Sequence, residues 1–244
     1  MCHQSHDRPP PPPSRGGVAD HGSLELEAAD GNRARAYRAS PTSWNGRNAI
    51  VLPDVRGLHP FYEAFTRRLA EAGFEAVAID YYGRSAGTAA RGADFSWRPH
   101  LPKVDVEHVA ADAAAAAELL RREHPGPLFT VGFCFGGGHA WRLGASDLGL
   151  AGAIGFYGLP YLVEDVVHHL SAPMLMLLAS DDNETPTDEY ERLAHRLDAG
   201  GKTYEVHVFE GLPHSFFDRS SEAWGPACTE AWRRLLDFTE RNGT

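Results

Sequence analysis

Cys134 stands in the run Val131-Gly132-Phe133-Cys134-Phe135-Gly136-Gly137-Gly138, after the apolar stretch Leu128-Phe129-Thr130-Val131 and before a segment that can form a helix. In a Gly-x-Cys-x-Gly-Gly turn the glycines relieve crowding where a strand bends sharply into a helix, and the central side chain is pushed out above the sheet. The first helical turn then presents unpaired N–H groups and a positive dipole end, both of which favour a thiolate. Cys134 is therefore a candidate nucleophile. The bland alternative is a small buried side chain in a tight turn, and the glycine frame after a strand argues against it.

A thiol nucleophile needs a base, and the base needs a group to orient it. His214 lies in Gly211-Leu212-Pro213-His214-Ser215-Phe216, just after an expected strand. Asp181 and Asp182 follow another. One of these aspartates and His214 complete the chain order nucleophile, acid, histidine that α/β-hydrolase triads use. His139 and the pair His168-His169 lack that context and read as helix-face residues.

Stepping from these residues to their supports, the chain alternates strand-like and helix-like segments. Leu24–Ala28 and Ala34–Tyr37 alternate with period two around Asp30-Gly31-Asn32, which predicts a hairpin at an antiparallel edge. Strands are expected at Ala49–Leu52, Phe74–Ile79, Leu128–Gly132, Ala151–Phe156, Met174–Leu178 and Tyr204–Phe209. Leu58, Phe61, Phe65 and Leu69 fall at helical spacing before Gly73. Further helices are expected over Val106–Arg122, Gly136–Gly144 and Thr187–Asp198, and from Glu222 with Trp224, Ala227, Ala231, Leu235 and Phe238 on one face. Apolar strands between amphipathic helices indicate a mostly parallel, doubly wound sheet with helices on both faces. Ligands of such sheets bind beyond the carboxyl ends of the strands, where the candidate residues sit.

At 244 residues with 43% hydrophobic content, the chain can bury a sizeable core. Its formal charge of −10 argues against nucleic acid as a partner. No run of eighteen apolar residues predicts a membrane span, and the N-terminus lacks a secretory h-region. Cys2, Cys134 and Cys228 show neither disulfide nor zinc spacing, so a reducing, cytoplasmic setting and no metal are expected. Residues 1–20, with five consecutive prolines, read as a disordered tail, and 21–244 as one domain.

Gly132-Phe133-Cys134-Phe135-Gly136-Gly137, Asp182-Asn183-Glu184-Thr185-Pro186 and Gly211-Leu212-Pro213-His214-Ser215-Phe216 together resemble the dienelactone hydrolase family. The resemblance spans roughly residues 24–240 and implies the α/β-hydrolase fold. It implies Cys134 as nucleophile, His214 as base and Asp182 as its partner, the family's acid lying four residues before a proline. It also implies an acidic residue after the first parallel strand and near the thiol, here Asp54 where the family has glutamate. Backbone N–H groups of Phe135 and Val55 would form the oxyanion hole, in line with the general geometry of such turns. Family members that cleave dienelactones hold the substrate carboxylate with arginines, one of them four residues after the histidine. That position is Asp218 in this chain, with Arg219 beside it. Arg98, in a long loop, and Tyr157, at a strand end, are further candidates for substrate contact.

The resulting expectation is a cysteine-dependent hydrolase of a small ester or lactone, working through an acyl-enzyme, without cofactor, as a monomer or small homo-oligomer. Alternatives are a broad carboxylesterase on the same fold and a non-catalytic small-ligand-binding homologue. A redox-sensing thiol protein is a third, which would need a resolving partner such as Cys228.

Overall fold

The computed structural model describes residues 7–92, 94–219 and 221–243. Apolar runs dictate the middle of its sheet. Asn48–Leu52 (β3), Glu75–Ile79 (β4), Leu128–Phe133 (β5) and Gly152–Phe156 (β6) are buried at every residue, as strands covered on both faces must be. Alternate side chains point to opposite layers. Ala49, Val51, Phe129, Val131, Ile154 and Phe156 pack with Pro60–Glu71 (α1) and Gly225–Asn242 (α6). Ile50, Leu52, Val77, Ile79 and Leu128 pack against Val106–Glu123 (α3) and Phe135–Leu143 (α4). Further along, Met174, Met176 and Leu178 of Met174–Asp181 (β7) meet Tyr190, Leu193 and Leu197 of Thr187–Ala199 (α5).

The strands form one eight-stranded sheet in the order β1-β2-β4-β3-β5-β6-β7-β8, where β1 is Val18–Glu27, β2 Arg33–Pro41 and β8 Tyr204–Pro213. The first two strands form the expected hairpin, and β2 runs antiparallel to β4. All other neighbours are parallel. This is the mostly parallel α/β-hydrolase architecture with helices on both faces. A short helix, Gly83–Ala86 (α2), precedes the long loop that leads to α3. No helix among the described residues is long and apolar enough to cross a membrane.

Two differences from the sequence reading matter for the site. Strand β8 continues past Phe209 to Pro213, through exposed and half-buried residues that carry no apolar period. Its pairing with β7 shifts register between Ala179 and Asp181, so that Asp181 faces Pro213. The next residue on each strand is Asp182 and His214, which are thereby delivered side by side.

The second difference is at the N-terminus. The disordered reading of residues 1–20 covers six residues outside the described ones, but β1 already begins at Val18 and the segment before it lies on the body. Pro9 and Pro12 are buried, the Trp232 indole donates to Pro10 O at 3.0 Å, and Gly16 N donates to Glu71 O at 2.6 Å. A proline-rich extended chain leaves its carbonyls unpaired along its length, and α6 supplies a buried donor for one of them. Helix α6 itself begins at Gly225, after a single 3-10 turn over Glu222–Trp224. Its buried face is centred on Cys228, Ala231, Trp232, Leu235 and Phe238, with Trp224 and Ala227 only partly covered.

Candidate active site

The turn at Cys134 is built by close backbone approach. Cys134 has φ 54° and ψ −118°, between the end of β5 and the first residue of α4. Its amide donates to Phe156 O at 3.0 Å, and its carbonyl accepts from Gly137 N and Gly138 N. A Cβ on Gly132 would lie 2.0 Å from Gly136 O, and one on Gly136 would lie 2.1 Å from Leu52 O and 2.2 Å from Pro53 O. No other residue type fits at either position without moving main chain. The same closeness sets the first turn of α4 against the end of β3, so Phe135 and the Asp54–Gly57 turn are neighbours. As the first residue of α4, Phe135 has an N–H without an intrahelical acceptor. The Val55 segment is fixed from below by the Tyr81 hydroxyl on Pro53 O at 2.8 Å and the Tyr82 hydroxyl on Val55 O.

His214 Nδ1 donates to Asp182 Oδ2 at 2.8 Å, with both side chains almost wholly buried. The other carboxylate oxygen accepts Glu184 N at 2.8 Å and Thr185 N at 3.1 Å. Asp182 is thus the partner of His214, and Asp181 is an exposed neighbour that accepts from Ser180 Oγ. With Nδ1 carrying the proton, Nε2 is the basic nitrogen of the imidazole. Tyr157, at the end of β6, lies with its ring centroid 4.8 Å from that of His214. Burial, followed by the charge of Asp182 and more weakly that of Cys134, raises the pKa of the Tyr190 hydroxyl. Tyr190 lies on the buried face of α5.

Asp54 is fully buried and held by Arg56, whose Nη2 lies 2.7 Å and Nε 3.1 Å from Oδ2 and whose amide lies 2.8 Å from Oδ1. His59 Nε2 is 3.9 Å from Oδ1. The sequence reading put a thiol-activating carboxylate here. The structure engages that carboxylate with a guanidinium two residues on, a short-range pairing that aspartate permits. Asp218, also fully buried, accepts from the Tyr157 hydroxyl. Burial pushes its carboxyl well above the usual range; Asp54 adds to this, and Arg56 and Arg219 oppose it. The position four residues after His214, where the resemblance implies an arginine, is thus held by a buried carboxyl.

A family model for the dienelactone hydrolase family matches residues 34–242. The chain belongs to this family. A "Putative carboxymethylenebutenolidase" of Yersinia pestis is 28% identical over 235 residues, covering 88% of this chain and 86% of that protein. The crystal structure of a "Putative Dienelactone Hydrolase" from Klebsiella pneumoniae superposes with a TM-score of 0.75 at 26% identity, covering 90% of this chain and 98% of its own. A cold-adapted esterase from an Arctic intertidal metagenomic library shares the fold, with a TM-score of 0.71 at 22% identity over 95% of this chain and 100% of that one. As a dienelactone hydrolase family member, the chain is a hydrolase of the ester and lactone type.

Within this family member, not every residue singled out from sequence reaches the site. Arg98 is exposed and stacks on Trp97, its guanidinium carbon 4.7 Å from the ring centroid. Phe95 and His100 of its loop pack on Tyr82. Arg219 is half-buried, and its amide donates to Ser215 O at 3.2 Å. Tyr157 is fully buried, and its hydroxyl donates to Asp218. His139, read as a helix-face residue, is buried against Phe135 and Tyr81. Sequence reasoning missed Arg56, His59, Tyr81 and Tyr190. The first two were readable from their place in the Pro53–His59 loop after a strand; Tyr81 and Tyr190 carried no such signal. Among the described residues no group of His, Cys, Asp or Glu is arranged to hold a metal ion.

Proposed function

We propose that this protein hydrolyses a small ester or lactone through a Cys134 acyl-enzyme, with His214 and Asp182 completing a catalytic triad. The observation that carries this reading is the 2.8 Å bond from His214 Nδ1 to Asp182, made at adjoining strand ends two and three places along the sheet from β5, which carries Cys134. His214 Nε2 takes the thiol proton as sulfur attacks the carbonyl carbon and a C–S bond forms. Asp182 holds the tautomer and stabilises the imidazolium. The N–H groups of Phe135 and Val55 stabilise the tetrahedral oxyanion, each such donor contributing on the order of 3 kcal/mol. Collapse breaks the C–O bond, and the imidazolium protonates the leaving oxygen. Water, deprotonated by His214, then attacks the thioester, releasing the carboxylic acid and regenerating the thiol.

The redox alternative is weakened by the state of Cys228, the other cysteine among the described residues. It is buried, donates towards Phe216 O, and is pushed up to about 12 by burial and then by Asp218. A thiol of that kind is inert as a resolving nucleophile. The broad-esterase reading gains from Asp218, since a buried carboxyl stands where dienelactone-cleaving relatives are expected to carry an arginine.

The decisive experiment measures turnover of a short activated ester and of a dienelactone by wild type, Cys134→Ala and His214→Ala. Loss of turnover in both variants is expected. Unchanged turnover in Cys134→Ala would overturn the acyl-enzyme. Turnover of the simple ester but not of the carboxylate-bearing lactone identifies the broader esterase, and tight binding of a small acid without turnover identifies a binding protein.

A further inference from the structure

Tyr157 and Asp218 are both fully buried beside His214 and have no assigned role in the chemistry above. Tyr157 follows β6 directly with a φ of 38°, a conformation that non-glycine residues rarely adopt. Its amide donates to Leu177 O at 2.8 Å, which ties it to the next strand. Its ring lies on His214 at a tilt of 52°, and its centroid is 5.9 Å from that of Phe216. Its hydroxyl donates to Asp218 Oδ1. Asp218 closes the loop that starts at His214, so this bond clips the far end of the histidine loop to the end of β6.

Within that loop Phe216 N donates to Pro213 O and Arg219 N to Ser215 O, each at 3.2 Å, while Phe216 and Phe217 are buried in the core and Cys228 Sγ donates to Phe216 O. The bond to Asp182 fixes one nitrogen of the imidazole but leaves the ring able to rotate about that axis. A surface against the ring face removes this freedom. We propose that Tyr157 and Asp218 form a positioning pair for His214, the Tyr157 ring being the seat of the imidazole and Asp218 the group that fixes the seat.

The chemistry of the pair suits this role. A buried charge without compensation is costly, whereas a neutral carboxyl hydrogen-bonded to a phenol is tolerated in an apolar lining. Burial favours the neutral form of Asp218, against the opposing charges of Arg56 and Arg219. Asparagine at 218 keeps an oxygen that can accept from Tyr157, so it is the conservative replacement. Phenylalanine at 157 keeps the ring and removes the tether.

The proposal rests on His214 as the base, so its test has two readouts. Wild-type full-length protein is compared with Tyr157→Phe, Asp218→Ala, Asp218→Asn and the double variant Tyr157→Phe/Asp218→Ala. The first readout is steady-state hydrolysis of a short activated ester. Because misplacement on the ångström scale costs up to about 100-fold, kcat should fall roughly 10-fold in Tyr157→Phe and Asp218→Ala, with KM held within about two-fold. Asp218→Asn should stay within about three-fold of wild type, and the double variant should be no worse than the poorer single one, as coupled residues are. The second readout needs no ester: the rate at which iodoacetamide alkylates Cys134, followed by peptide mass spectrometry, should slow in the same variants and recover in Asp218→Asn.

Wild-type behaviour of Tyr157→Phe and Asp218→Ala in both readouts overturns the pair. So does Asp218→Asn being as impaired as Asp218→Ala, or additive losses in the double variant. If no ester is turned over while the alkylation pattern holds, the hydrolase reading fails and the pair stands. If turnover is normal and the pattern is absent, only the pair fails. Should Asp218→Ala not fold, slow alkylation in Tyr157→Phe with recovery in Asp218→Asn still supports the pair, and normal alkylation in Tyr157→Phe removes it.

Discussion

Replacing Gly136 by alanine tests whether the nucleophile turn depends on contact between the first turn of α4 and the end of β3. The added Cβ would fall 2.1 Å from Leu52 O, 2.2 Å from Pro53 O and 2.6 Å from Leu52 C, all main-chain atoms that cannot swing away. Against a floor of 3.0 Å for such contacts, the two backbones must separate by about 0.9 Å. Overpacking of this kind costs typically ~1–3 kcal/mol, which urea unfolding will measure. Activity should suffer more than stability, because the displaced carbonyls immediately precede Asp54 and Val55 while Phe135 immediately precedes the glycine. The separation therefore opens the gap between the two proposed oxyanion donors, and kcat/KM for an activated ester should drop about 100-fold. Gly225→Ala is the control: apart from its chain neighbours nothing lies within 4 Å of its added Cβ. That substitution should leave activity unchanged, with no gain in stability, because Pro226 follows and disfavours the helical conformation of Gly225, at φ −51° and ψ −48°, for a residue that carries a Cβ. Gly136→Ala with wild-type stability and kcat/KM would refute the reasoning.

Asp182→Asn should lower kcat by roughly 10³–10⁴-fold with the fold retained, because the Glu184 and Thr185 amides hold the side-chain oxygen and turn the NH2 towards His214, forcing the wrong tautomer. Arg91→Met should destabilise by about 3 kcal/mol in urea unfolding, since the fully buried Asp80 carboxylate loses its guanidinium partner, held at 2.8 Å. Burial, with help from the Arg142 charge, holds His139 down at about 3. Below pH 6.5 the unfolded chain therefore takes up a proton that the folded one refuses. Stability should fall by ~2 kcal/mol between pH 7 and pH 5 from this residue, and His139→Gln should flatten that part of the profile measured by unfolding at each pH.

The centre of the sheet was legible because strands buried on both faces are largely apolar, as β3, β5 and β6 are apart from Asn48 and Thr130. The end of β8 was not. Glu210, Gly211 and Leu212 are exposed or half-exposed, and what extends the strand is pairing across a register shift opposite β7. The residue types of Cys134 and His214 with their turn context were readable locally. The choice of Asp182 over Asp181 came from the family resemblance alone, since it depends on which side of that shift each residue falls. Asp218 shows the limit most clearly. Its type gave no sign that it would be fully buried, accepting from the hydroxyl of Tyr157, 61 residues earlier in the chain. The proline-rich segment is a similar case, with its Trp232 donor 222 residues away.

The backbone strain of the molecule has the same address as its proposed chemistry. Among the described residues, the non-glycine positions with positive φ are Cys134 at 54°, Tyr157 at 38° and Ser215 at 65°. Each such conformation costs on the order of 1–3 kcal/mol and persists only where the surroundings over-determine it. Cys134 is held by glycines pressed against main chain, Tyr157 by its amide on Leu177 and its hydroxyl on Asp218, and Ser215 by the Arg219 amide on its carbonyl. Successive strands β5 to β8 thus deliver Cys134, Tyr157, Asp182 and His214 to one edge. Three of these four either carry the strain or adjoin it, while Asp182 bonds the strained loop through His214. A sequence that needed only a stable sheet would place glycine at 157 and 215 and lose the strain. Retaining side chains there makes sense if a phenol and a fixed turn are needed against the imidazole, which is the requirement that the Tyr157 and Asp218 variants probe.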